Sequence, residues 1–160
     1  MVDAGALSLL RRHRSAATLL TPHAGELAEL LTRWTGDRVV RASVEADRMG
    51  MAQRMADLTG ATVLLKGAQT LIASPDAPDD MRMQDDAPPW LATAGAGDVL
   101  AGLCGALAAA GLPMRDVGAV AAMVHGQAAH RANPGGPVRA LTVAHAIPGA
   151  VADLLSDGGF

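Results

Sequence analysis

The sequence predicts an α/β fold in which a parallel or mixed sheet is covered by helices on both faces. Apolar runs at 17–20 (ATLL) and 61–65 (ATVLL) show no polar alternation, the pattern of strands buried on both faces. Stretches with helical periodicity alternate with these runs, which is the arrangement of layered α/β domains. With 160 residues, half of them hydrophobic, the chain suffices for one sizeable core.

Residues 3–14 read as a helix, and the run 17–20 as a buried strand ending at Thr21-Pro22. A helix from about Gly25 to Leu31 follows. Val44, Met51, Met55 and Leu58 recur at helical spacing, so 42–58 is expected to be one amphipathic core helix stopped at Thr59-Gly60. Lys66-Gly67 turns the strand 61–65 into a second strand, 69–73, forming a hairpin. The Pro- and Asp-rich stretch 74–89 is expected to be an exposed loop with at most a short edge strand. Helices are then expected over 97–110 and 115–132, closed by Gly111 and by Asn133-Pro134-Gly135. The last, over 142–155, contains Pro148, which should kink or restart it. Three or so strands are visible, fewer than such a sheet normally has, so 1–160 reads as a single partial domain, the second half of a larger one.

Composition excludes several classes. A formal net charge of −3, with Arg spread along the chain, provides no basic face for a nucleic-acid backbone. No run is apolar and long enough to span a bilayer. The one cysteine, Cys104, allows no internal disulfide and reads as a small buried hydrophobe in a soluble cytoplasmic protein. With 2% aromatic residues and no Tyr, aromatic stacking is not the main means of holding a base. His13, His130 and His145 have no metal-ligand spacing.

The sharpest chemical feature is the turn Thr93-Ala94-Gly95-Ala96-Gly97-Asp98 leading into a helix. Successive N–H groups of Gly95, Ala96 and Gly97, added to the helix dipole, make a concave site for anionic oxygens. Asp98, in the first helical turn, stands where a carboxylate takes the proton from an attacking hydroxyl. The same position also suits a plain dipole-stabilising carboxylate.

The string GAGDVLAG after a Thr resembles the signature of ribokinase-like enzymes, which implies a three-layer helix–sheet–helix fold, Asp98 as base and the glycine amides as anion hole. Thr21-Pro22-His23-Ala24-Gly25-Glu26 resembles the NAD(P)H-hydrate dehydratase branch, where many small-molecule kinases read Pro-Asn-x-x-Glu. That resemblance implies His23 and Asp98 as substrate-binding residues, and Glu26 near the phosphates, reaching Mg²⁺ through water. A helix-start carboxylate is the equally weighted alternative for Glu26. Leu65-Lys66-Gly67-Ala68-Gln69-Thr70 resembles the family hairpin that lines the adenine nucleotide, with Lys66 as a point charge for phosphate and Thr70 as a hydroxyl. Val2-Asp3-Ala4-Gly5 resembles the family's Asp-Ala-Asp segment, with Gly5 replacing the second Asp, and Val124-His125-Gly126 resembles a late helix. His125 reads as a packed helix residue.

The resemblance implies dehydration of hydrated NADH or NADPH at the expense of ADP or ATP, with Mg²⁺. It also implies more than a hundred residues ahead of the Asp-Ala-Asp segment, and a homo-oligomer or a fusion with an epimerase domain. The alternatives are a ribokinase-like kinase for a small alcohol, against which His23 argues, and a non-catalytic nucleotide-binding fragment.

Overall fold

The computed structural model describes residues 1–10 and 16–157; His13 and the end of the helix expected over 3–14 fall outside them. Strands β1 (Leu19–Leu20), β2 (Thr62–Leu65), β3 (Thr70–Ala73) and β4 (Arg82–Gln84) form one sheet in sequence order. β1 and β2 are parallel, with Leu20 opposite Val63; β2–β3 and β3–β4 are antiparallel. Val2 adds a parallel bridge to Leu20 on the outer side of β1. The mixed sheet and the hairpin are as the sequence predicts, and the loop after Ser74 contains the short edge strand.

Helices cover both faces. α1 (Ala24–Thr35), α2 (Arg41–Ala46) and α3 (Arg48–Thr59) lie on one side, where their core includes Leu20, Val63, Leu65, Leu71 and Ala73. α4 (Ala96–Ala109) and α5 (Met114–Ala132) lie on the other, against Leu19, Leu64 and Ile72. Successive side chains of a strand point to opposite faces. Val63 and Leu65 therefore feed one core and Leu64 the other, which explains the unbroken apolar run. α6 (Ala140–Asp157) packs outside α4 and α5, burying Val143 and Ala150 in a third cluster with Ala128 and Ala129. α5 comes close to the sheet at Gly118, where a β-carbon would lie 3.1 Å from Ile72.

Three expectations are corrected. Residues 4–9 form a 3-10 helix, Ala4–Leu9. The carbonyls of Leu7 and Ser8, which a longer α-helix would use, instead accept Arg33 of α1 at 3.0 and 2.6 Å. The helix expected over 42–58 is broken at Asp47, whose backbone is non-helical and whose Oδ1 caps α3 by accepting the Gly50 amide at 3.0 Å. Leu58, expected in the core stripe, is exposed. The helix at Pro148 is not restarted: α6 runs through it. Pro148 lies on the exposed side, with Val143 and Ala150 anchoring either flank. Cys104 is buried, as expected, and burial pushes its thiol up to about 11.

Candidate functional site

The carboxyl ends of the adjacent parallel strands β1 and β2, where open α/β sheets assemble ligand sites, release two segments side by side. After β1 come Thr21, Pro22 and His23; after β2 comes Lys66, which bridges His23 in parallel and donates its amide to the Pro22 carbonyl at 2.8 Å. Val2, alongside β1, delivers Asp3 to the same end. Lys66 Nζ donates to Asp3 Oδ1 at 2.9 Å and lies 3.8 Å from Glu26 Oε2. Thr21 Oγ1 donates to the same Asp3 oxygen at 2.7 Å. The side chains of Lys66, Glu26 and Asp3 are 21%, 21% and 13% exposed, so the cluster is shielded yet open on one side.

His23 and Glu26 form a reciprocal capping box at the start of α1. His23 Nδ1 accepts the Glu26 amide at 3.1 Å, and Glu26 Oε2 accepts the His23 amide at 2.8 Å. The helix-start role weighed for Glu26 is thus realised, and His23 shares it. Because Nδ1 is an acceptor here, the proton of the neutral ring resides on Nε2.

The glycine-rich turn forms the N-terminus of α4. Gly95 is the N-cap at φ 84°, a left-handed conformation suited to glycine. A β-carbon there would also lie 3.1 Å from Ala140 at the start of α6. The Ala96 amide is engaged by the Thr93 carbonyl at 3.2 Å, and those of Asp98 and Val99 by the Gly95 carbonyl at 3.1 and 3.2 Å. Among the described residues, the amides of Gly95 and Gly97 meet no acceptor. A β-carbon on Gly97 would lie 3.7 Å from Lys66 Nζ, so the hairpin lysine and the helix N-terminus share one site. Asp98 is exposed in the first turn and has no salt-bridge partner among the described residues.

Gly67, Ala68 and Gln69 form the exposed hairpin tip, and Thr70 opens β3 opposite Gln84. Beneath α4, His125 of α5 is 5% exposed, hydrogen-bonds the Ala96 backbone and leaves Nε2 without a partner. Burial pushes its imidazole down to about 4, the Ala96 bond opposing the shift. A groove of about 200 Å³ adjoins Glu26, walled by Gly5, Leu7, Glu29 and Arg33. A larger groove of about 350 Å³, lined by residues of α5, α6 and Pro134 between them, shares no residue with the cluster.

Sequence reasoning brought His23, Glu26, Lys66 and Gly97 to one place. It missed Asp3 as the partner of Lys66, and Thr21 as a second donor to Asp3, although the Val2-Asp3-Ala4 segment was a signal for the first. Among the described residues no helix is long and apolar enough to cross a membrane, and no three His, Cys, Asp or Glu side chains could hold a metal by themselves.

A family model for NAD(P)H-hydrate dehydratase matches residues 1–147. The bifunctional NAD(P)H-hydrate repair enzyme Nnr of Mycobacterium leprae is 46% identical over 143 residues, 84% of this chain and 28% of the relative. The ADP-dependent (S)-NAD(P)H-hydrate dehydratase of Neisseria meningitidis serogroup B is 39% identical over 137 residues, 81% of this chain and 44% of the relative. The ADP/ATP-dependent NAD(P)H-hydrate dehydratase of Bacillus subtilis, co-crystallised with ATP/Mg²⁺, superposes with a TM-score of 0.76 at 29% identity. The match covers 94% of this chain and 53% of that one. A ribokinase-like protein from Enterococcus faecalis, at 21% identity and a TM-score of 0.73, shares the fold. The chain thus spans about a quarter to a half of the length of these relatives.

Proposed function

The chain belongs to the NAD(P)H-hydrate dehydratase family, and we propose that it carries the nucleotide-binding and catalytic residues for ADP- or ATP-dependent dehydration of hydrated NADH or NADPH. The observation that carries this reading is the meeting of Lys66 with the Gly97 end of α4 beside the Thr-Pro-His-x-Gly-Glu segment. A phosphoryl group at that junction would lie between an ammonium and a helix N-terminus, both favouring negative charge.

In this reading Asp98 takes the proton from the ring hydroxyl as its oxygen attacks the terminal phosphorus of the nucleotide, releasing AMP from ADP or ADP from ATP. The free amides of Gly95 and Gly97 stabilise the charge on the transferring group. Ala96 joins them only by sharing its bond to Thr93. The carbon–oxygen bond then breaks, phosphate departs, and loss of a neighbouring ring proton restores the double bond of the reduced nicotinamide. His23 contacts the hydrated nucleotide; Lys66 holds phosphate, and Gly67, Ala68, Gln69 and Thr70 line the adenine nucleotide.

Mg²⁺ bound with the nucleotide supplies charge neutralisation at the phosphates. Glu26 fits a contact to it through water, because Mg²⁺ keeps several waters and takes its other ligands from phosphate. The absence of a three-ligand cluster among the described residues is compatible with such a site. We place this activity in the cytoplasm, with a homo-oligomer or a fused epimerase domain as accompaniment.

The test is regeneration of NADH from hydrated NADH, followed by absorbance with ADP or ATP and Mg²⁺. Asp98→Asn should lower turnover by about 10² to 10⁴ while adenine-nucleotide affinity stays within about threefold. Unchanged turnover in the variant would sink the assignment of Asp98.

A further inference from the structure

We propose that Arg48 is the positioning residue of the nucleotide hairpin, holding the turn 66–69 so that Lys66 is delivered to the N-terminus of α4; this rests on the hairpin being the nucleotide site. Asp47 ends the α2 segment and caps α3, which makes Arg48 the first residue of α3. From there its guanidinium crosses to the hairpin. Nη2 donates to the carbonyls of Lys66 at 3.3 Å and Gln69 at 3.0 Å, the two ends of the turn. β2 stops at Leu65 and β3 starts at Thr70, so these carbonyls lie outside both strands. The guanidinium thus takes the place of water on a part-buried and an exposed carbonyl and ties the two together.

The guanidinium is itself anchored. Nη1 donates to Glu45 Oε2 at 2.8 Å, and the Arg48 side chain is only 18% exposed. The Arg48 hydrogen bond beside Glu45 holds that carboxyl below the usual carboxylate range. Against the turn the fit is close: a β-carbon on Gly67 would lie 2.4 Å from Nη2 and 2.9 Å from Cζ. Gly67 thus lets the planar group lie on the turn's backbone, a contact that the single ammonium of lysine does not reproduce.

The peptide flanks of Lys66 are tied on two sides. Its amide is held by the Pro22 carbonyl and its own carbonyl by Arg48. With both fixed, the side chain reaches Asp3 and the neighbourhood of Gly97. Loss of Arg48 frees the carbonyl side, and the Lys66 ammonium is no longer held toward the helix.

The experiment compares the full 160-residue chain with Arg48→Gln, Arg48→Lys, Gly67→Ala and the double variant Arg48→Gln/Gly67→Ala. Two quantities are read: the dissociation constant of Mg·ATP, and amide hydrogen exchange at 66–70 relative to β2. Arg48→Gln should weaken Mg·ATP about tenfold and Arg48→Lys about threefold. Gly67→Ala, which displaces the guanidinium from the opposite side, should resemble Arg48→Gln. The double variant should be no worse than either, since both remove one contact. Exchange at 66–70 should rise about tenfold while β2 is unchanged.

Exchange that rises equally in β2 and the turn, or remains unchanged in the turn, overturns the proposal, as does additivity in the double variant. If the parent chain binds no Mg·ATP, the nucleotide reading fails. The exchange contrast then still decides whether Arg48 positions the turn: local acceleration upholds it and its absence overturns it.

Discussion

Acid should destabilise this protein through His125 in addition to its carboxylates, and the size of the histidine effect follows from its burial. The ring is 5% exposed in α5, bonded to the Ala96 backbone, with Nε2 unpartnered. Charging it means placing an imidazolium where no carboxylate compensates, and burial lowers its affinity for the proton from the ordinary 6.5 to about 4. The folded value lies below the unfolded one, so the unfolded chain binds more protons between them. Stability from the neutral ring is therefore whole above the ordinary histidine value, declines as pH falls through the window, and levels off below the folded value. At about 1.4 kcal/mol per tenfold in proton affinity, the ceiling is about 3 kcal/mol, a large share of the roughly 5–15 kcal/mol that holds a domain together.

Urea denaturation followed by far-ultraviolet circular dichroism measures this directly, on the parent chain and on His125→Gln, which does not titrate in this range. The parent-minus-variant difference cancels the carboxylates, which titrate in both. It should shrink by about 2 to 3 kcal/mol between about pH 7 and about pH 4.5. Parallel stability curves would refute the claim that a neutral, desolvated His125 underlies the acid sensitivity.

Gly118→Leu should cost about 1 to 3 kcal/mol in thermal unfolding, because a β-carbon already meets Ile72 at 3.1 Å and Leu64 at 3.7 Å across the helix–sheet contact. His23→Asn separates the two roles of that position. Asn is as good an N-cap as any residue, so stability should stay within about 0.5 kcal/mol of the parent. Turnover of hydrated NADH should nevertheless fall, and equal loss of stability and turnover would reduce His23 to a cap.

The strands were legible because their chemistry is written locally. Burial on both faces leaves Thr62–Leu65 without polar alternation, and a lysine–glycine turn marks the hairpin. β4 was barely visible, since Arg82, Met83 and Gln84 form a partly exposed edge strand with no apolar run. The break at Asp47 was hidden for a different reason: the apolar spacing continues through it from Val44 to Met51 and Met55. What interrupts the helix is a cap, together with an arginine committed to a hairpin 18 and 21 residues away. For α6 the expectation was a kink or a restart at Pro148, and the helix is not restarted. Pro148 removes one helical bond, but Val143 and Ala150, on either side of it, both pack against α5.

The site divides along the same boundary between local and distant. The glycine-rich turn and the helix-start carboxylate Glu26 are short-range devices that consecutive residues sufficed to suggest, whereas the share of His23 in the cap was not read. The pairing of Lys66 with Asp3 spans 63 positions, and that of His125 with Ala96 joins two helices; each depends on how the layers pack. His23 shows that the local and the functional readings need not compete. Its Nδ1 is occupied by the start of α1, which leaves the proton of the neutral ring on Nε2; that nitrogen lies 3.6 Å from Glu26 Oε2 on a side chain that is 60% exposed. The cap thereby sets which ring nitrogen can meet a ligand. A residue chosen only to begin a helix would not need that nitrogen, whereas one chosen to contact a polar substrate would, and His23→Asn distinguishes the two because it keeps the cap and replaces the imidazole Nε2–H by a shorter amide.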